Sequence, residues 1–142
     1  MDKKSTINEI QNQIIEEFAV FDDWMDKYEY LIELGRDLPF YNEKYKTEKY
    51  LIDGCQSRVW LYGEKQDDIL IYYADSDAII TKGMISLLIR VLSGQKTADI
   101  LNTELYFIEH IGLKENLSPT RSNGLAAMVK QMKILADSYN NG

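Results

Sequence analysis

Apolar residues recur every three or four positions at the start of the chain, at Ile7, Ile10, Ile14, Phe18 and Phe21, which is one stripe of a helix. Asp22-Asp23 is placed to cap a second helix, with Trp24, Tyr28, Leu31 and Ile32 on one face. Gly35 reads as its stop, with Leu38-Pro39 outside. Residues 40–49 are polar and aromatic without a period and predict a loop. The pattern then becomes that of strands. Val59 to Gly63 predicts one strand, Glu64-Lys65-Gln66-Asp67 a turn, and Ile69-Leu70-Ile71-Tyr72-Tyr73 a second strand, β-branched and aromatic. Tyr50-Leu51-Ile52 is read as a short strand ahead of them, because a bare hairpin is marginal without further partners.

Helical spacing returns afterwards. Asp75-Ser76-Asp77 carries the oxygens of a helix cap, followed by an apolar face of Ile80, Met84, Leu87, Leu88 and Val91, with Gly94 as the end. Thr97 is expected to cap a short helix through Leu101, and Thr103 another, Glu104 to Ile111, stopped by Gly112. Ser118-Pro119 is a start signal for the last helix, a capping hydroxyl followed by proline at the first helical position. Leu125, Met128, Val129, Met132 and Leu135 form its stripe, and residues 139–142 are expected to fray. Helices, strands and helices in that order predict an α+β fold. The expectation is a single compact domain over residues 1–142, with a small three-stranded antiparallel sheet packed against helices from both ends of the chain.

Composition narrows the function classes. The chain has 142 residues, enough for one core, and a net charge of -7 without any Lys/Arg run, which argues against nucleic acid as a partner. No apolar stretch is long enough to span a bilayer, and the start Met1-Asp2-Lys3-Lys4-Ser5 leads into an amphipathic pattern, so no membrane role is expected and the cytoplasm is the expected compartment. Nothing suggests a large obligate interface; a monomer or weak homodimer is expected. The ten tyrosines read as half-buried rings with wet hydroxyls.

Cys55 is the only cysteine, set in Gly54-Cys55-Gln56-Ser57 at the entrance to a strand. It has no partner for an internal disulfide. Either it is a small buried hydrophobe, as lone cysteines commonly are, or it acts as a nucleophile or carrier. Gly54 suggests a sharp turn presenting the sulfur, and Arg58 is a nearby cation that would favour thiolate. His110 is the only histidine and the one imidazole base for a cysteine hydrolase; such a dyad usually needs a third, orienting group. One Cys and one His do not fill a tetrahedral zinc site, and Asp75-Ser76-Asp77 lacks the remaining positions of a calcium loop, so no metal is expected. No Walker loop or GxGxxG is present. Arg121 stands in the first turn of the last helix, where a cation opposes the macrodipole, beside Ser122-Asn123-Gly124, which are poor helix formers. That turn is selected for something other than helicity.

Four segments together resemble the SufE family of sulfur-acceptor proteins. They are Tyr30-Leu31-Ile32-Glu33-Leu34-Gly35 with Leu38-Pro39, Gly54-Cys55-Gln56-Ser57 with Val59-Trp60, Ala74-Asp75-Ser76-Asp77-Ala78, and Leu117-Ser118-Pro119-Thr120-Arg121-Ser122-Asn123-Gly124-Leu125. Thr120 stands where the family commonly has serine. The resemblance implies a partner of a PLP-dependent cysteine desulfurase that activates it, accepts its sulfur as a transient persulfide on Cys55, and passes it to an iron–sulfur scaffold complex. It implies a thiol tucked into an apolar pocket on a loop that swings out when the partner docks. It places Asp75, Asp77 and Arg121 with Gly54, Gln56 and Ser57 at the partner-facing site. PLP would belong to the partner, leaving this chain without a cofactor and without free-standing enzyme activity. A paralogous acceptor serving another pathway, such as tRNA modification, carries the same signature, and a Cys55/His110 hydrolase is the alternative of a different class.

Overall fold

The computed structural model describes residues 5–140. Helix α1, Ile7–Ala19, is capped by Thr6, whose hydroxyl accepts from the Glu9 N–H, and buries Ile7, Ile10, Ile14 and Phe18 as its period predicts. Phe21 lies beyond it, its ring 5.2 Å from Tyr30. Helix α2, Trp24–Arg36, starts at the Asp23 cap. Gly35 is not its stop. The residue is inside the helix, where a Cβ would lie 2.6 Å from the Gly83 nitrogen. Glycine here serves close approach of two helices, a use that a terminator signal mimics.

Strand β1, Val59–Gln66, pairs antiparallel with β2, Ile69–Ser76, from Val59 opposite Ser76 to Gln66 opposite Ile69. The turn is therefore Asp67-Asp68, with Asp67 at φ 57°, rather than Glu64 to Asp67. Glu64, Lys65 and Gln66 sit in a solvated part of the ladder and carry no apolar alternation to reveal them. The third strand is β3, Gln95–Lys96, paired with Leu70 and Ile69. Tyr50-Leu51-Ile52 makes only the single bridge Leu51 to Trp60, since a 3₁₀ turn, Glu48–Tyr50, precedes it and Asp53-Gly54 ends it. The segment before it is no open loop. With another 3₁₀ turn, Glu43–Tyr45, it lies across the outer sheet face, stacking Tyr45 on Tyr62 at 4.0 Å and Tyr62 on Tyr73 at 4.9 Å.

The inner face of β2 buries Leu70, Tyr72, Ala74 and Ser76. Against it runs α3, Ile79–Leu92, which buries ten of its fourteen residues, so it is a central helix rather than a one-faced one. Its N-cap is Ala78, not the Asp75-Ser76-Asp77 triplet: Asp75 and Ser76 belong to β2, and only Ser76 Oγ accepts an N–H there, from Ala78. Gly83 faces α2, where a Cβ would lie 2.3 Å from the Leu31 carbonyl oxygen. Arg90 of α3 forks onto Glu17 of α1, and Tyr30 of α2 donates to the same carboxylate at 2.6 Å. The Arg90 guanidinium outweighs burial and holds Glu17 below the usual carboxylate range.

Gly94, at φ 82°, follows α3 as expected. Helix α4, Thr97–Asn102, begins with Thr97 inside it; Lys96 is the cap position. Helix α5 is only Phe107–His110, and Thr103 follows α4 instead of capping a helix from Glu104. The buried Gln11 explains the shortening: its amide donates to the Glu104 carbonyl and accepts from the Phe107 N–H, taking up backbone groups a longer helix would use. Gly112 at φ 82° leads into α6, Leu113–Asn116, a turn with no clear signal in the pattern. The last helix, α7, Pro119–Asn140, starts at Ser118-Pro119 as expected. Its helical geometry continues through 139 and 140. Tyr139 OH donates to the Gly63 carbonyl, and Asn140 accepts from Thr97; residues 141 and 142 lie outside the described residues. A core from Ile7 to Ala136 joins all these layers, and a small three-stranded antiparallel sheet packed with helices from both ends is the observed α+β architecture.

Replacing Gly83 by Ala would force α2 and α3 apart. We expect a loss of about 3 kcal/mol, at the upper end of overpacking costs, read from the urea midpoint of unfolding.

Candidate functional site

The segment Asp53 to Arg58 is a short loop whose base is closed by the Ile52 N–H to Val59 carbonyl bond at 2.9 Å. Gly54 takes φ +92°, a left-handed turn that other residues adopt only with strain. That turn sets Cys55 against α7, where Sγ donates to the Gly124 carbonyl at 3.6 Å. The thiol is half-buried. It faces a cavity of about 100 Å³ with three walls. Gln56 and Ser57 supply the loop wall; Ile80, Thr81 and Met84 supply the first turns of α3; Thr120, Arg121, Gly124 and Met128 supply α7.

Electrostatics favour the protonated thiol. Burial pushes the Cys55 thiol up, and it is the one cause acting on it. Arg58 does not offset it. Its side chain is exposed and its backbone is committed elsewhere. Asp77 accepts from the Arg58 N–H at 3.1 Å and donates its own N–H to the Arg58 carbonyl, which also receives the Ser76 hydroxyl at 2.7 Å. These three bonds pin the exit of the thiol loop to the end of β2.

The structure thus brings together Cys55, Gln56, Ser57 and Arg121 at one cavity, with Gly54 turning the loop behind the thiol and Asp77 fastening the loop beside it. Asp75 is elsewhere. It projects from the outer sheet face to Lys46 at 2.9 Å and Lys82 at 3.3 Å. Burial would raise its carboxyl, but the Lys46 ammonium, the Ser76 N–H and Lys82 together bring it below the usual range. His110 is exposed on α5 with its ring against Tyr106, and it does not line the thiol cavity. Among the described residues no three His, Cys, Asp or Glu side chains cluster to hold a metal, and no helix is long and apolar enough to cross a membrane.

Tyr28 is a site residue that spacing did not reveal. The helical period assigns it only to the apolar face of α2. Its hydroxyl accepts from Arg121 at 3.0 Å and its ring lies 5.9 Å from the guanidinium, so α2 holds the arginine at the cavity. This explains a cation in the first turn of α7: tyrosine, not the helix, satisfies it.

The family profile described as SufE, Fe–S metabolism associated domain, matches residues 12–136. The chain belongs to the SufE family. A SufE-like protein of Rhizobium meliloti is 37% identical over 131 residues, covering 89% of this chain and 94% of that one. One from Rhizobium etli is 40% identical over 127 residues, covering 86% of each. The chloroplastic/mitochondrial SufE-like protein 1 of Arabidopsis thaliana is 36% identical over 85% of this chain, a match that takes up 33% of the longer plant protein. A solution structure of a hypothetical protein from Thermus thermophilus superimposes with a TM-score of 0.77 at 19% identity, over 94% of this chain and 97% of that one, and shares the fold. Of the loop and helix segments named from the SufE resemblance, Cys55, Gln56, Ser57, Thr120, Arg121 and Gly124 line the cavity, while Asp75 does not.

Two outcomes follow. Iodoacetamide will alkylate Cys55 more slowly in the folded protein than in urea at neutral pH, with an apparent pKa above the free-thiol value of about 8.5. Because the folded thiol holds its proton more tightly, its contribution to stability is complete below that value and is lost as pH rises through the folded pKa. Asp77→Ala removes an anchor of the loop and should speed alkylation several-fold, with the change read by mass-resolved kinetics.

Proposed function

We propose that this SufE-family protein accepts sulfur from a PLP-dependent cysteine desulfurase as a persulfide on Cys55, stimulates that enzyme by removing its product, and hands the sulfur to an iron–sulfur scaffold complex. The observation that carries the reading is the placement of a solitary thiol, half-buried and hydrogen-bonded, facing a cavity with room beyond it. About 100 Å³ accommodates a further small group, since one water needs roughly 10–15 Å³ measured this way.

The chemistry is an exchange. The Cys55 thiolate attacks the outer sulfur of the donor's persulfide; that S–S bond breaks, a new one forms at Cys55, and the donor's cysteine leaves as thiolate. Electrons balance without an outside oxidant. The proton lost by Cys55 passes to the departing donor thiolate or to solvent. Burial keeps the thiol protonated in the closed loop, so the step is expected only after the loop opens and the thiolate forms at the donor. Gly54 is the backbone position able to accommodate that movement. With no second cysteine in the chain, nothing internal can resolve the persulfide. The closed cavity shields the sulfur from over-oxidation. PLP is the donor's cofactor; on this reading the chain needs none, is an accessory protein rather than a free-standing enzyme, and acts in the reducing cytoplasm as a monomer or weak homodimer.

Intact mass after incubation with the same organism's desulfurase, PLP and cysteine tests this directly. We expect a gain of one sulfur, reversed by reductant and absent in Cys55→Ser, with His110→Ala taking up sulfur like wild type. No gain, with an active desulfurase and an intact thiol, would sink the carrier reading for that donor.

A further inference from the structure

Beside the thiol cavity an open groove of about 440 Å³ runs between α2 and the start of α3. Its apolar floor is Phe21, Ile32 and Ile79. Ile79 is 65% exposed, a large β-branched side chain left in water at a helix start. Its chain neighbours Ala78 and Ile80 line the thiol cavity, so the two depressions share the first turn of α3. Helix α2, the other wall, also carries Tyr28, which holds Arg121.

The rim is charged in one sense. Asp26, Glu29 and Glu33 follow one another at three- and four-residue spacing on an exposed face of α2, and Arg36 at the far end is the single cation lining the groove. None of the three carboxylates is in an ion pair among the described residues.

We propose that this groove is the docking seat of a basic segment of the sulfur donor, an apolar side chain entering between Phe21 and Ile79 with Lys or Arg beside it facing Asp26, Glu29 and Glu33. The proposal rests on the sulfur-acceptor reading and adds the surface and charge by which the donor is recognised. A second copy of this chain is disfavoured as occupant by its net charge of -7. Sulfur exchange requires two sulfur atoms in contact, and a seat sharing a helix turn with the thiol cavity sets the donor's register over the loop that must open.

The test is binding kinetics of the purified, PLP-loaded desulfurase of the same organism to the full chain. The variants are Asp26→Asn/Glu29→Gln/Glu33→Gln, the double Glu29→Gln/Glu33→Gln that leaves the first turn of α2 intact, and Ile79→Ser, each checked for native circular dichroism. Neutralising the carboxylates should slow association roughly tenfold at low salt, since charge at a rim acts mainly on encounter. The difference should vanish near 1 M salt, where the screening length is about 3 Å. Ile79→Ser should speed dissociation. Unchanged constants in all variants, with wild type bound, overturn the seat and leave sulfur acceptance standing, because that is read separately from the mass of Cys55. Binding by wild type without a sulfur gain overturns the acceptor reading while the variants still decide the seat. No binding by wild type overturns both. A self-association in sedimentation that Ile79→Ser abolishes, with donor binding unaffected, assigns the groove to a second copy and overturns the basic segment.

Discussion

Everything in this fold is referred to the contact of Gly83 with Leu31 and Gly35. It lets the backbones of α2 and α3 approach without side chains between them. With α2 so close, α3 becomes a helix with almost no solvent face, surrounded by α1, α2, α7 and the sheet. A helix buried on all sides cannot rotate without exposing apolar surface, at about 25 cal/mol for each Å². Its orientation is then checked by a polar device, Arg90 and Tyr30 meeting on Glu17, which joins three helices through one carboxylate. The beginning of α3 is consequently fixed in space, and that beginning is one wall of the thiol cavity.

The cavity is assembled from segments far apart in the chain: a loop at 53–58, a helix start near 80 and a helix start near 121. Two opposing demands meet there. A sulfur nucleophile needs to be a thiolate and accessible, and this thiol is only half-exposed and pushed by burial towards its protonated form. On the acceptor reading proposed above, reactivity would belong to a different loop position rather than to this pocket. The bonds that hold this loop position are few: one weak S–H bond to Gly124 and three bonds at Arg58, two of them to the side chains of Asp77 and Ser76.

Much of this was legible in the residues, and the failures share a cause. Period and caps located α1, α2, the hairpin, α3 and α7, because those signals are local. Where the sequence reading failed, the deciding partner was distant. Gly35 resembles a stop until Gly83 is placed beside it. The Thr103–Ile111 helix is cut short by Gln11, almost a hundred residues away. Tyr50–Ile52 has the look of an added strand because nothing local shows that the two residues after Gly94 occupy the sheet position instead. At the site, Cys55 and Arg121 stood out as oddities of local preference, whereas Tyr28 looked like an ordinary core-facing ring. Asp75 shared its segment with Asp77 but not its surroundings: Asp75 is still in β2 and pairs with Lys46 and Lys82, whereas Asp77 lies just past the strand end and accepts from the Arg58 N–H.

The far end of α7 has a bearing on how the thiol can be released. This rod of 22 residues, about 33 Å long, forms the cavity wall at its start and is fastened along its remaining length. Tyr72 OH reaches the Met132 carbonyl at 2.6 Å, Lys133 reaches the Thr103 carbonyl, Tyr139 reaches Gly63, and Asn140 reaches Thr97. These bonds fix its far half, while the start is held by Arg121 on Tyr28 and by Leu125 and Met128 in the core. On the sulfur-acceptor reading, whatever draws the sulfur out would act on the six residues of the loop, leaving the rest of the molecule as it found it.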